Sequence, residues 1–305
     1  MTTVTCGTYN GTVAMVISRA LRPWLLLLSA VSLGVLQCAT PLTDRRCDNL
    51  DTRSCNQPVS RGDNLTLYRQ ANRAARPVPG GTVNVTDVVV TAIDRYLEPR
   101  GSTGDAWVQQ IVTDPAFDGC APLADGRHVC GIQLFNPTVV PTGTHLLLGD
   151  TLQVSGGRYD EFDCARCCQP PRAPCTFDGR TLPEFSNASL ERIGTGQTPV
   201  IVPATVTQVL EGGDRYVGVL VSLTGEISLE NPSASDVGRG EIPVVGGMKL
   251  SPQIGPLTDR MGQPLINPTT GRLTTMRLRN VVGIVGYFFG TKFMPRGPMD
   301  FEVVP

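Results

Sequence analysis

From Thr82 onward the chain is built of short runs rich in Val, Ile, Thr and aromatic residues, each closed by Gly, Pro, Asn or Asp. Such runs favour strands joined by tight turns. β-branched and aromatic side chains suit a pleated surface, and the turn residues supply backbone angles that others avoid. With 33 glycines and 25 prolines among 305 residues, long helices are disfavoured. The first strand runs are TVNVTDVVVTAIDRYL (82–97), DAWVQQ (105–110), GIQLFNP (131–137) and LLLGDTLQVSGGRYDEF (146–162). Leu152 and Val154 fall on one side, with Thr151, Gln153 and Ser155 on the other, which is the alternation of a half-buried strand. After RTLPEF a second set follows: TPVIVPATVTQVL, DRYVGVLVSLTGEISLE, GEIPVVGGMKL and MRLRNVVGIVGYFFGTKFMPRGPMDFEVV. The two sets predict an all-β chain with two small barrels in tandem, over residues 80–195 and 196–305.

The N-terminal part reads differently. Arg19 and Arg22 precede an apolar run from Trp24 to Leu36, and no acidic residue occurs before Asp44. That layout predicts a secretory signal peptide over residues 1–37, with Met15 as an alternative start. At about thirteen residues the run is shorter than the roughly twenty needed to span a bilayer. Val35, Leu36, Gln37 and Cys38 resemble the lipobox of bacterial lipoproteins, although a small residue usually stands where this chain has Gln37. The resemblance implies lipidation at Cys38 and a membrane anchor, with simple secretion as the alternative. Residues 38–79 are polar and lack sustained periodicity, as in a tether. Within them, Asn64 to Ala75 predicts one short helix capped by Asn64 and ending before RPVPGG.

Export decides how the cysteines are read, because thiols outside the reducing interior tend to oxidise. Setting aside Cys6 with the leader and Cys38 with the lipid leaves eight of the ten cysteines, an even number. The disulfide candidates are Cys47, Cys55, Cys120, Cys130, Cys164, Cys167, Cys168 and Cys175, with Cys47–Cys55 and Cys120–Cys130 as natural local pairs. The segment DCARCCQPPRAPC (163–175) also admits a zinc site or a redox CxxC. Disulfides are favoured because adjacent Cys167 and Cys168 point apart and no strand-then-helix pattern surrounds the CxxC.

Trp107, Val108 and Gln109, then Gly131 and Ile132, then Gly149, Asp150, Val154, Gly156, Glu161 and Phe162 occur in an order that resembles OB-fold-like domains. These are the domains of secreted bacterial nuclease-associated proteins and of myxobacterial-type surface lipoproteins. YVGVLVSLTGE and the closing GIVGYFFGTKFMPRGPMDFEV continue the likeness, which spans residues 82 to 305; the cysteine-rich insert at 163–175 departs from it. The resemblance implies OB-like barrels without the nuclease's catalytic domain.

Catalytic signatures are lacking. The two histidines, His128 and His145, form no HExxH, and the sequence contains neither GxSxG nor GxxxxGK. The carboxylates Asp160, Glu161 and Asp163 read as a solvated turn. No catalytic residue, metal or cofactor is expected. OB barrels bind single strands or sugars with aromatic and basic groups. The candidate binding face is Trp107, Phe135 and Tyr159 in the first barrel, with Tyr287, Phe288, Phe293, Arg277, Arg279, Lys292 and Arg296 in the second. A formal charge of −1 implies no general polyanion-seeking surface, and the arginine excess over Lys249 and Lys292 fits a GC-rich genome.

The expectation is therefore an exported lipoprotein at the outer membrane or surface of a Gram-negative bacterium, with the periplasmic side as an alternative. It would be a non-catalytic binding or scaffold protein for an envelope protein or polysaccharide. The alternative is a single-stranded nucleic-acid-binding accessory of an extracellular nuclease system. A continuous positive groove would favour the accessory, buried rings the scaffold, and carboxylates converging in a cleft an enzyme.

Overall fold

The computed structural model describes residues 5–8, 11–14, 64–94, 104–163, 181–288 and 290–304. The chain divides into two compact units, Met1–Val59 and Ser60–Pro305. In the first, β1 (Thr5–Thr8) pairs antiparallel with β2 (Gly11–Ala14). The rest of the expected leader, Cys38 and the remaining cysteines outside the pair Cys120–Cys130 lie outside the described residues, apart from Cys6 within β1.

The second unit is mainly strand with little helix, as expected of an all-β chain. Its first sheet holds β3 (Val83–Ile93), β4 (Ala106–Val112), β5 (Ala121–Pro122), β6 (His128–Phe135), β7 (Thr138–Val140), β8 (Thr151–Gly156), β9 (Arg158–Asp163), β10 (Thr181–Ser186) and β11 (Ser189–Gly194). The order is β7-β11-β8-β3-β4-β6-β10-β9, with β5 beside β6. β6 and β10 run parallel. β3 pairs through one half with β8 and through the other with β4, with register shifts between Val85 and Val88 and between Val90 and Ala92. Asp87, at φ 58°, lies in the first shift; such a bulge bends a strand and lets a sheet curl.

The second sheet holds β12 (Val202–Ala204), β13 (Leu220–Ser228), β14 (Ile242–Pro243), β15 (Lys249–Leu250), β16 (Arg277–Tyr287), β17 (Thr291–Met294) and β18 (Glu302–Val303). Its order is β12-β13-β16-β17-β15-β14, with β18 on β16. β15 and β17 are parallel, and β13 shifts register around Gly225 at φ 84°. Two short helices interrupt the strands: α1 (Val206–Gly212) and α2 (Ala234–Arg239). The first corrects the sequence expectation, which took VTQVL as strand. Gln208 N donates to Thr205 Oγ1 at 3.1 Å and Thr205 N donates to Gln208 Oε1 at 2.8 Å, so a capping box overrides the strand preference of two valines.

Each sheet encloses its own apolar core. Val85, Ile132, Leu152, Leu190 and Phe185 belong to the first, and Val221, Leu250, Val281, Phe293 and Phe301 to the second. A disulfide joins Cys120 to Cys130 across the β5–β6 hairpin, and Ala121 and Val129 of that hairpin pack into the second core. Between the sheets, Trp107 and Ala92 meet Leu220, Ile254, Ile284 and Met294. Gln109 ties the same seam: its Nε2 donates to Val200 O at 2.9 Å, and its Oε1 accepts from Leu220 N.

The segment before β3 also packs on the first sheet. The single helix expected over Asn64–Ala75 is instead two 3-10 turns, Leu65–Leu67 and Arg73–Ala75. Asn64 makes no side-chain cap; Leu65 N donates to Gln110 Oε1 instead, and Leu65 and Tyr68 are buried in the first core. Residues 64–76, read as part of the polar tether, are thus part of the folded unit. No helix among the described residues is long and apolar enough to cross a membrane.

Candidate functional site

A cleft of about 510 Å³ opens at one edge of the seam between the sheets. Strand alternation sets what faces it. On β10, Phe185 enters the first core, so Leu182 and Glu184 take the opposite face. On β6, Ile132 and Leu134 point into that core while Gln133 and Phe135 line the cleft. The parallel register sets Glu184 beside Gln133, and on its other side β9 sets Asp160 opposite Glu184 and Phe162 opposite Leu182. The second sheet contributes Tyr287, Phe288, Lys292 and Met294. Phe162 and Phe288 stack across the two sheets, with centroids 5.6 Å apart and planes 20° from parallel.

The polar floor is acidic. Asp105 is buried; its Oδ2 accepts from Gln133 Nε2 at 2.8 Å and its Oδ1 from Asn136 N at 3.0 Å. Burial nevertheless raises its pKa, and these two hydrogen bonds only partly oppose the shift. Among the described residues, the Glu184 carboxylate has no hydrogen-bond or ion-pair partner. Burial, and then the charges of Asp105 and Asp160, push its pKa up to about 7, against a smaller pull from Arg158. The cations nearby are committed elsewhere. Lys292 donates to Glu241 Oε1 at 2.7 Å, and Arg158 donates from Nε to Asp160 Oδ2 at 2.6 Å. Burial lowers the Lys292 pKa.

The candidate binding face is not assembled as one surface. Trp107, Tyr159 and Phe293 are fully buried, so their rings are unavailable for stacking on a ligand. Tyr159 packs on Tyr68 and donates its hydroxyl to Glu161 Oε1, and Trp107 lies in the seam. Phe135, Tyr287, Phe288 and Lys292 do come together, in the cleft. Arg277 pairs with Glu226, Arg279 with Glu302 and Arg296 with Asp300, so the cations expected to line a groove are neutralised locally.

Other candidates separate as well. Glu161 accepts from Arg76, Tyr159 and Thr181, whereas Asp160 accepts from Arg158 and Ser186, so these two neighbours on β9 do not converge. No group of His, Cys, Asp and Glu among the described residues could hold a metal ion. Sequence reasoning missed Asp105, Gln133 and Glu184. The available signal was in β4 and β6, where Ala106–Val108 and Val129–Leu134 are buried without alternation, the mark of strands covered on both faces. No protein-family model, no curated protein and no solved structure matches this chain.

Proposed function

We propose that the chain is an exported, non-catalytic binding protein of the cell envelope, built of two OB-like barrels packed together within Ser60–Pro305, with its ligand held in the seam cleft. The cleft carries this reading. It combines aromatic walls, an amide and an unpaired carboxylate in a volume within the usual range of small-ligand sites.

Strand connectivity supports the OB-like part. Only Gly157 separates β8 from β9, and only Asn187 and Ala188 separate β10 from β11. Taken as two bent strands, they give the cycle β3, β4, β6, β10/β11, β8/β9 and back to β3. The second sheet follows the same scheme: β13, β14, β15, β17, β16 and back to β13, with β14 reached from β13 through the Leu229–Val244 bridge. In both, the third and fifth strands are parallel. That is the connectivity of a five-stranded Greek-key barrel. OB barrels often bind ligand on the face of their second and third strands; here that face of the first sheet carries Trp107 and Gln109 and is covered by the second sheet. A ligand is thereby directed to the seam's open edge.

The Cys120–Cys130 bridge supports export, and attachment through lipid on Cys38 remains part of the proposal. The nucleic-acid alternative is disfavoured by the acidic floor and the locally paired arginines. Catalysis is not part of this reading: Asp105 and Glu184 both line the cleft, but Asp105 is held by Gln133 and Asn136, and the sequence carries none of the catalytic signatures HExxH, GxSxG and GxxxxGK.

The test is saturation-transfer NMR on the mature chain with amines, sugars and nucleotides, repeated on a Phe162→Ala/Phe288→Ala variant. At least one class should bind and lose its signal in the variant. If no class depends on these rings, the cleft is not a ligand site. Mass spectrometry of protein from native membranes should find acylated Cys38 at the mature N-terminus; an unprocessed chain would refute the anchored location.

A further inference from the structure

Resting on the cleft reading, we infer that the ligand presents a protonated amine on an apolar stem, with the ammonium group against Glu184 and the stem between the aromatic walls. Glu184 stands beside a second carboxylate, Asp105, on the cleft floor, and no cation among the described residues pairs with it; Arg158 exerts only a smaller pull than the neighbouring carboxylates. The other charged groups around it are engaged with partners of their own. On β9, Asp160 adds negative charge and is itself held by Arg158 and Ser186. On β6, Gln133 spends its amide on Asp105. On β17, Lys292 is bound to Glu241. An incoming cation therefore meets negative charge that Arg158 offsets only in part, in partly desolvated surroundings where an ion pair is stronger than at an open surface.

The walls set the rest of the ligand. Phe162 and Phe288 form a stacked pair at the margin, and Phe135, Leu182, Tyr287 and Met294 continue an apolar lining. Aromatic faces attract ammonium groups as well as alkyl chains. A phosphate or carboxylate ligand would meet repulsion from Glu184 and Asp105. A neutral alcohol would gain the walls and no ionic partner.

Protonation of Glu184 then regulates binding. With its pKa at about 7, the carboxylate is almost wholly charged at pH 8.5 and largely neutral at pH 5.5. If only the charged form pairs with an ammonium, the ionic part of the affinity falls about thirtyfold between these pH values, and the neutral form holds the ligand by its stem alone. An alkylammonium stays charged throughout.

The experiment is calorimetric titration of the mature chain with 4-phenylbutylammonium, 4-phenylbutanol and 4-phenylbutyrate. At pH 8.5 the ammonium should bind at least about tenfold more tightly than the alcohol, and the advantage should vanish at pH 5.5. Glu184→Gln should bring the ammonium down to about the alcohol's affinity, with circular dichroism and thermal melting showing that the variant is folded. A peptide, acetyl-Gly-Lys-Gly-amide, identifies the source of the amine. Binding points to a polypeptide side chain; its failure while 4-phenylbutylammonium binds points to a small amine. If the alcohol or carboxylate binds as tightly as the ammonium, the inference is overturned while the cleft reading stands. If no probe binds and the NMR screen is insensitive to Phe162→Ala/Phe288→Ala, both are overturned.

Discussion

Gly131 and Gly218 meet backbone to backbone where the two sheets touch. A Cβ on Gly131 would fall on the Gly218 carbonyl group, and a Cβ on Gly218 would lie 2.6 Å from the carbonyl carbon of Gly131 and from the amide nitrogen of Ile132. Gly218 also needs its freedom, at φ 82°, to donate its N–H to Val285 O at 2.7 Å. Neither neighbour is a side chain that could swing away, so any side chain here must part the sheets around Trp107.

Gly131→Ala and Gly218→Ala should therefore each destabilise the fold by about 2–3 kcal/mol, the upper range for overpacking. Urea denaturation measures this. Gly238→Ala is the control, because its Cβ would meet nothing within 4 Å on helix α2, and it should be neutral or stabilising by up to about 1 kcal/mol. Equal behaviour of all three variants would show that the seam is not closely packed at Gly131.

The Cys120–Cys130 bridge braces the hairpin that carries Ala121 and Val129 into the second core. Removing it frees a short loop in the unfolded chain and loosens a contact between the sheets. Cys120→Ala/Cys130→Ala should cost about 2–3 kcal/mol and speed hydrogen exchange at Val129 N–H. Unchanged exchange there would mean that the hairpin is held by packing alone.

Local pattern made much of the fold legible, and long-range pairing hid the site. The alternation around Leu152 and Val154 is matched by burial of those two side chains while Thr151, Gln153 and Ser155 are half-buried. Trp107 was legible as a strand residue, yet its burial depends on Leu220 and Ile284, far along the chain. VTQVL misled because its valines favour strand, while the helix is set by the polar pair Thr205 and Gln208. Glu184 stood alone in TLPEF; Asp105 and Asp160 become its neighbours only through the pairing of β6, β10 and β9. A carboxylate's environment is a tertiary property, which local periodicity does not encode.

Arg69 and Arg76 occupy one buried charged cluster with opposite consequences. Arg69 is fully buried; its Nη2 donates to Asp214 O, and its Nε and Nη1 have no partner. Burial, aided by the Arg76 charge, lowers its pKa to about 10. Arg76 donates to Gln70 O at 2.8 Å and to Glu161 Oε1 at 2.9 Å. Arg69→Met should be neutral or stabilising, because an apolar isostere relieves an uncompensated desolvation cost. Arg76→Met leaves Glu161 without its cation and should cost about 3 kcal/mol. Calorimetric melting separates the two, and equal losses would refute the distinction.

Glu184 should make stability depend on pH in a direction opposite to that of a salt-bridged carboxylate. Its pKa in the folded protein, about 7, lies above the ordinary 4.5, so between these values the folded state holds a proton that the unfolded state has released. Stability contributed by that proton is full below about pH 4.5 and is lost as pH rises through 7. Glu184→Gln replaces the carboxylate with a neutral group of similar shape and removes the penalty at high pH. The variant should match the parent at pH 4.5 and exceed it at pH 8 by about 1–3 kcal/mol, a range that allows for solvent reaching the cleft. The quantity to measure is the difference in Tm between the two proteins from pH 4.5 to 8, in which most other titrations cancel. A flat difference would mean that water or a cation already compensates the carboxylate, and the unpaired charge on which the cleft's selectivity depends would be absent.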